Sequence, residues 1–440
     1  MSQADRTGRI ARGTTVATGT TVARGTTGAR GTTAALAAIA LGALVLSTSC
    51  SANPQHKAGA ATPHHSSGQG ADPSPSASAT KSTPAPPAPA ALVVHPVAGT
   101  AAADPTRPIT VSSTNGTLSR VVVTNPVGDK VIGKVSSDRR TWTSAEDLGY
   151  GKAYKISAIA TNSAGKATRK VSSFTTVTPA NQTAATIFPA TGTSVGVGTI
   201  IDVNFDEVIG DKAAAEQVMK VSASPATVGS WHWMGDKEAE WRPAHFWKPG
   251  TKISVDLGIY GAQVGDGLYG QADAKASYTV HDDWRAVGNV NTYNLTVYHN
   301  GAKVKVLPVS YGKPATPTHS GWHVIYQKYP VYLMNSASYG VPADSPGGYA
   351  NFKAYWAMRI SGDGEFDHAN EGTVGNQGYS NVSHGCINLS LANSQWLYDH
   401  MGIGDPENII GGDPQLPIDD GYGGWNVSYA QWQAGSALRH

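Results

Sequence analysis

Apolar residues along this chain fall into three regimes. The first is an unbroken block of Ala, Leu, Ile, Val and Gly from Ala34 to Leu46. It is shorter than the roughly eighteen residues a membrane-spanning helix needs. The second regime is alternation. Tyr154-Lys155-Ile156-Ser157-Ala158-Ile159-Ala160 switches apolar and polar with period two and runs into the turn Asn162-Ser163-Ala164-Gly165, which predicts a half-buried strand and its reversal. Ile200-Ile201-Asp202-Val203-Asn204-Phe205 repeats the pattern in a different sequence, followed by a short helix with Asp211 as N-cap and by the aromatic clusters Trp231-His232-Trp233 and Trp241-Arg242-Pro243. The third regime lies in the last third of the chain. There Phe352 to Ile360 predicts a strand, Gly362-Asp363-Gly364 a hairpin turn, and Glu365-Phe366-Asp367-His368 the returning strand. Ser390 is then placed as N-cap of a helix through Leu397 to His400, with Gly402 as its stop.

These patterns divide the chain. Arg24 and Arg30 precede the apolar block in the charge-then-apolar order of an export signal, so residues 1–50 are read as a signal segment. Its leading part carries a hexameric repeat beginning Ala11-Arg12-Gly13-Thr14-Thr15-Val16, too small and polar to stack into a solenoid. Residues 51–92 are rich in Ala, Pro and Ser and cannot bury enough apolar surface to fold. As a tether they span about 35 Å when coiled and about 130 Å when extended. Short strands at turn-punctuated spacing predict two immunoglobulin-like β-sandwich domains at 93–179 and 180–283. A β-rich domain with one short helix follows at 284–410, then a tail at 411–440. The predicted class is therefore mainly β.

Charge excludes one class of partner. The chain has 33 Lys and Arg against 31 Asp and Glu, with no basic stripe of the kind that tracks nucleic acid. His64-His65 lies in the tether and reads as solvated, so no metal is predicted.

Cysteine usage points to the chemistry. Only two occur, Cys50 at the end of the signal-like segment and Cys386 in Ser383-His384-Gly385-Cys386-Ile387-Asn388. An exported chain that keeps an unpaired thiol invites a reactive role. His368 lies eighteen residues upstream at the end of a rigid strand, and a thiol beside an imidazole is the usual nucleophile and base. Inert packing fits poorly, because Ser383, His384 and Asn388 form a polar shell. Gly385 lets the backbone approach a carbonyl, and the amides around Cys386 are candidates for an oxyanion hole.

His368 together with Ser383-His384-Gly385-Cys386-Ile387-Asn388 resembles the signature of the L,D-transpeptidases with the YkuD domain, cysteine enzymes of bacterial cell-wall cross-linking. The resemblance extends over about 93–440 and is to the actinobacterial lipoprotein type, whose tail is matched by Trp425, Trp432 and Ala434-Gly435 and packs on the catalytic domain. It implies Cys386 as nucleophile and His368 as the base that generates or holds its thiolate. It also implies an imidazole oriented by the carbonyl of Ala369, where the family often has serine, and oxyanion donors at Gly385 and Cys386. Tyr349 corresponds to a tyrosine near the donor carbonyl, Tyr339 and Met334 to the lid hairpin, and Ser383, His384 and Asn388 to the pocket wall. Leu46-Ser47-Thr48-Ser49-Cys50 resembles a lipobox with its leucine one position early, which implies lipidation of Cys50 and a membrane-anchored protein facing the cell wall.

The implied reaction is acyl transfer between peptidoglycan stems. Cys386 attacks the carbonyl joining diaminopimelate to the terminal D-Ala of a tetrapeptide, D-Ala leaves, and a side-chain amine of a neighbouring stem takes the acyl group in a 3→3 cross-link. No metal or organic cofactor is implied, and carbapenem-type β-lactams are implied covalent inhibitors. An L,D-carboxypeptidase with water as acceptor and a non-catalytic wall-binding scaffold are the competing readings. A papain-like protease is disfavoured because there the cysteine precedes the histidine.

Overall fold

The computed structural model describes residues 85–339, 341–345 and 348–438. The signal-like block, the repeat, most of the tether and Cys50 lie outside the described residues, as does the side chain of Tyr339. Among the described residues, no helix is long and apolar enough to cross a membrane.

The chain is mainly β, and alternation explains how its sheets pair. In the strand Ala153–Thr161, Tyr154, Ile156, Ala158 and Ala160 point inward. They share a core with Leu92, Val94, Val111 and Trp142 of a second sheet, so two sheets enclose one apolar layer. A second such core gathers Ile201, Val203 and Phe205 with Trp231, Trp241 and Trp247. The Trp241 and Trp247 rings stack at 5.4 Å. Beside it the helix Lys212–Val218 starts where Asp211 accepts a hydrogen bond from the Ala214 amide at 2.9 Å.

Two more sheets build the last unit. A five-stranded sheet holds Trp284–Asn289, Asn294–His299, Ala302–Pro308, Gly321–Val324 and Pro406–Ile410. A four-stranded sheet runs in the order Gln327–Met334, Phe352–Arg359, Phe366–Ala369, Ile387–Leu389. Ala286, Val297 and Leu307 of the first meet Met358, Ile387 and Leu389 of the second, with Leu397 from the helix Leu391–His400. Ser390 caps that helix by accepting from the Asn393 amide. The returning strand begins at Phe366, because Glu365 is drawn into side-chain bonds described below.

Period two along Phe366–Ala369 sends Phe366 and His368 to one face and Asp367 to the other. Asp367 is fully buried and meets the equally buried Glu407. Burial, reinforced by their mutual repulsion, pushes Asp367 well above the usual carboxylate range, and burial pushes Glu407 to about 8.

The tail departs from expectation. Sequence reasoning packs it on the catalytic domain, and Asn426 does clasp that domain by bonding both the amide and the carbonyl of Trp322, at 2.7 and 2.8 Å. Trp432, however, is buried against the second sandwich, where its indole donates to the Ser230 carbonyl at 2.8 Å. The cause is Arg242. Its buried guanidinium lies 4.7 Å from the Trp425 ring and 4.9 Å from the Trp432 ring, so the tail aromatics cover a cation that the sandwich itself leaves open. Close backbone contact fixes the same junction. A Cβ on Gly404 would fall 2.6 Å from the Gly196 amide, and the Gly198 amide donates to the Gly404 carbonyl at 2.8 Å.

Two stability outcomes follow. Trp432→Ala empties a fully enclosed indole site and should cost about 3–5 kcal/mol, read as a lowered unfolding midpoint in denaturant; an unchanged midpoint would contradict the packing. For the acid pair, a carboxyl with a folded pKa above its unfolded value contributes fully below the unfolded pKa of about 4 and loses that contribution as pH rises. Glu407→Gln should therefore gain in melting temperature relative to wild type as pH is raised from about 5 to about 8. A difference independent of pH would refute the assignment.

Candidate active site

Parallel pairing assembles the site. Asp367, His368 and Ala369 lie in register with Ile387, Asn388 and Leu389, so His368 stands beside Asn388, two residues from Cys386. The intervening segment leaves the sheet through a short 3-10 turn at Glu371–Thr373 and returns over it. His368 and Cys386 then face one cavity of about 460 Å³, lined also by Met334, Tyr349, Ser383, His384 and Asn388. The predicted pocket residues outside the lid are thus brought together. For Tyr339 only the backbone is described, at the end of the turn Ser336–Tyr339.

The loop bearing Cys386 is held from several sides. Gly385 sits at φ +128°, a backbone region that favours glycine. Ser383 Oγ donates to the Cys386 carbonyl at 2.6 Å and accepts from the Gly385 amide at 3.1 Å. Thr318 Oγ1 donates to the Gly385 carbonyl at 2.6 Å. One consequence corrects the sequence reading. The Gly385 amide is already engaged by Ser383, so of the two expected oxyanion donors the Cys386 amide is the one this loop leaves for that role.

His368 donates from Nδ1 to the Ala369 carbonyl at 2.9 Å, which leaves Nε2 as the working nitrogen. Its ring meets Phe352 edge-on at 5.6 Å. Burial lowers the imidazole to about 4. Burial also pushes the Cys386 thiol up to about 12, and Sγ lies 3.6 Å from the Gly364 carbonyl. The sequence reading allowed an imidazolium that holds a thiolate; burial pushes both groups the other way, towards thiol and neutral imidazole. Tyr349 is fixed through its backbone, whose amide donates to Ser336 Oγ at 2.8 Å. Lys313 Nζ donates to His384 Nε2 at 3.0 Å, and burial, then Lys313, lowers the His384 pKa.

Four cavity or near-cavity groups escaped the sequence reading: His319, His323, Asp363 and Glu365. Glu365 Oε1 accepts from the His319 amide at 2.9 Å and from its Nδ1 at 3.1 Å, while Oε2 lies 3.2 Å from His323 Nε2. Burial pushes the Glu365 carboxyl up, but these hydrogen bonds outweigh it and hold the group at about 2. His319, Asp363 and Asp420 bring ligand-capable atoms within 4.8 Å of one another. The available signal was two acids, Glu365 and Asp367, inside one short predicted strand, where each needs a partner once buried.

Comparison with known proteins agrees with this architecture. Residues 100–263 match the family described as bacterial Ig domain, across both sandwiches, and residues 283–409 match the L,D-transpeptidase catalytic domain. L,D-transpeptidase 2 of Mycobacterium tuberculosis is 40% identical over 333 residues, covering 75% of this chain and 81% of that protein. L,D-transpeptidase 5 of the same species is 36% identical over 355 residues, covering 79% and 77%. A solved L,D-transpeptidase in complex with imipenem is 32% identical, with a TM-score of 0.45, covering 51% of this chain and 97% of that one. With the catalytic-domain match spanning both His368 and Cys386, and relatives aligned through the sandwiches as well, the chain belongs to the L,D-transpeptidase family.

Proposed function

We propose that this L,D-transpeptidase forms 3→3 peptidoglycan cross-links through an acyl-enzyme on Cys386. The observation that carries the reading is the placement of the Cys386 thiol and the His368 imidazole on one cavity, the imidazole being tied at Nδ1 to the Ala369 carbonyl. As Sγ attacks the carbonyl between the diaminopimelate centre and D-Ala, its proton passes to His368 Nε2. The C–S bond forms, the C–N bond breaks, and Nε2 returns the proton to the departing D-Ala amine. The Cys386 amide stabilises the negative oxygen of the intermediate. A neighbouring stem's amine then displaces the thiolate. Two lower barriers replace one high barrier, which is what a thiol nucleophile offers. Met334, Tyr349, Ser383, His384 and Asn388 shape the donor site, with Tyr339 in the lid. A carbapenem presents a strained carbonyl in place of the donor carbonyl and stops at the acyl-enzyme.

Acylation requires His368 to accept a proton, so the rate is full while the imidazole is neutral and falls as pH drops through its lowered pKa of about 4. Intact-mass spectrometry with a carbapenem should give one adduct on wild type and none on Cys386→Ala. On His368→Ala the adduct should form about 10²–10⁴-fold more slowly. The acid limb of the wild-type rate should lie well below the ordinary imidazole value of about 6.5. An adduct on Cys386→Ala, or a limb above about 6.5, would overturn the assignment. Muropeptide analysis separates cross-linking from hydrolysis of the same acyl-enzyme.

We also place the enzyme outside the cytoplasm, anchored by a lipid on Cys50, a reading supported by the charge-then-apolar order ahead of that cysteine. Labelling with a fatty-acid analogue should tag the wild type and miss Cys50→Ala; no label on either would count against the anchor.

A further inference from the structure

The Cys386–His368 pair accounts for only one wall of the cavity. On another, the chain carries a second carboxylate–imidazole unit, Glu365 with His319. Thr318 is bonded to the Gly385 carbonyl, so His319, the next residue, stands beside the catalytic turn. Glu365 lies directly under that turn, since a Cβ on Gly385 would come 3.5 Å from its Cγ. His319 lines the cavity with its Nδ1 committed to Glu365 at 3.1 Å, which leaves Nε2 as its remaining functional atom. His323 braces Glu365 from behind: its Nδ1 lies 3.1 Å from the Gly321 carbonyl and its Nε2 3.2 Å from Glu365 Oε2. A carboxylate that fixes one imidazole nitrogen and presents the other is the arrangement of a general base.

The charges around the cavity differ from side to side. Asp363 and Asp420 gather about His319, whereas Lys313 stands with His384. A cationic group is drawn to the first side and a carboxylate to the second. The amine that enters a cross-link is an alkyl ammonium in water, with a pKa near that of lysine, about 10.4. It must lose a proton to become a nucleophile.

We propose that His319, oriented by Glu365, is the base for the acceptor amine, so that acylation runs through His368 and acyl transfer through His319. The inference rests on the proposed cross-linking function. In the transfer step the acceptor ammonium first gives one proton to solvent; the free amine nitrogen then attacks the thioester carbon, the N–C bond forms, and the second proton lost by nitrogen passes to His319 Nε2. The C–S bond breaks, the departing thiolate takes a proton from solvent, and His319 releases its own to solvent. Thioester and amine thus become amide and thiol. The groups that face His319 are Glu365 and Asp363 from the turn before Phe366–Ala369, Asp420 from the tail and, through Glu365, His323. The hydrogen bond to Glu365, with the charges of Glu365, Asp363 and Asp420, raises the His319 pKa above the usual imidazole value. His319 accepts a proton only when neutral, so transfer should increase as pH rises through that raised value.

The test uses the full chain with a disaccharide-tetrapeptide as donor and acceptor. Acyl-enzyme formation is read by intact mass and D-Ala release, and transfer by cross-linked product, between about pH 5.5 and 9. His319→Gln keeps a donor for Glu365 and removes the proton acceptor. It should slow transfer at least tenfold relative to acylation, remove the inflection at the His319 value while leaving the rise due to ionisation of the acceptor amine, and let the acyl-enzyme accumulate. Glu365→Gln should move the limb towards lower pH, which a purely structural role would not do. If His319→Gln forms acyl-enzyme and transfers it with the wild-type rate and pH profile, the inference is overturned and the Cys386 reading stands. If the wild type forms no acyl-enzyme, the functional reading fails and this inference with it.

Discussion

Parallel pairing of Phe366–Ala369 with Ile387–Leu389 is the constraint on which the rest of the site depends. Parallel neighbours cannot be joined by a tight hairpin, so the chain between them must leave the sheet and come back. In this protein the excursion supplies Asn370, Thr373, Val382, Ser383 and His384 to the cavity, and its return sets Cys386 at the strand's entrance. The pairing thus converts a long sequence separation into adjacency, and the crossover furnishes part of the wall around the nucleophile. Slipping the register by one residue would turn His368 into the interior and bring Asp367 to the cavity.

Desolvation then decides the chemical state. Burial pushes both Cys386 and His368 towards their neutral forms. A neutral thiol is protected from casual oxidation and from charge-driven encounters. Reactivity arises when a substrate carbonyl is aligned and proton transfer accompanies bond formation. The cost of keeping charge out of the centre is met at its edge, where Glu365 retains its negative charge by binding two histidines.

Local signals made much of this legible. Alternation in Tyr154–Ala160 and the Gly362–Gly364 turn foretold strands and a hairpin, and Asp211 and Ser390 marked helix starts, because each of these features is decided by residues close in sequence. Cys386 and His368 were legible through their chemistry and the motif around Cys386. His319 and His323 were not, because nothing near them in sequence announces Glu365, more than forty residues away. The destination of Trp432 was hidden for the same reason: Arg242 looks like one more surface cation until the fold buries it between rings.

The contact of Gly196 and Gly198 with Gly404 has a mechanical consequence. Main chain meets main chain there, with the Thr199 and Asp405 side chains packed beside it, and the tail aromatics bind the same two bodies through Arg242. The two contacts adjoin, since the Trp425 indole donates to the Gly198 carbonyl at 2.8 Å, and together they resist rotation as well as separation. The second sandwich therefore acts as a stiff arm for the active site, so the direction in which the cavity opens is inherited from that arm instead of being sampled freely about a hinge. Under the proposed cross-linking function, fixing that aim narrows the set of donor and acceptor stems within reach.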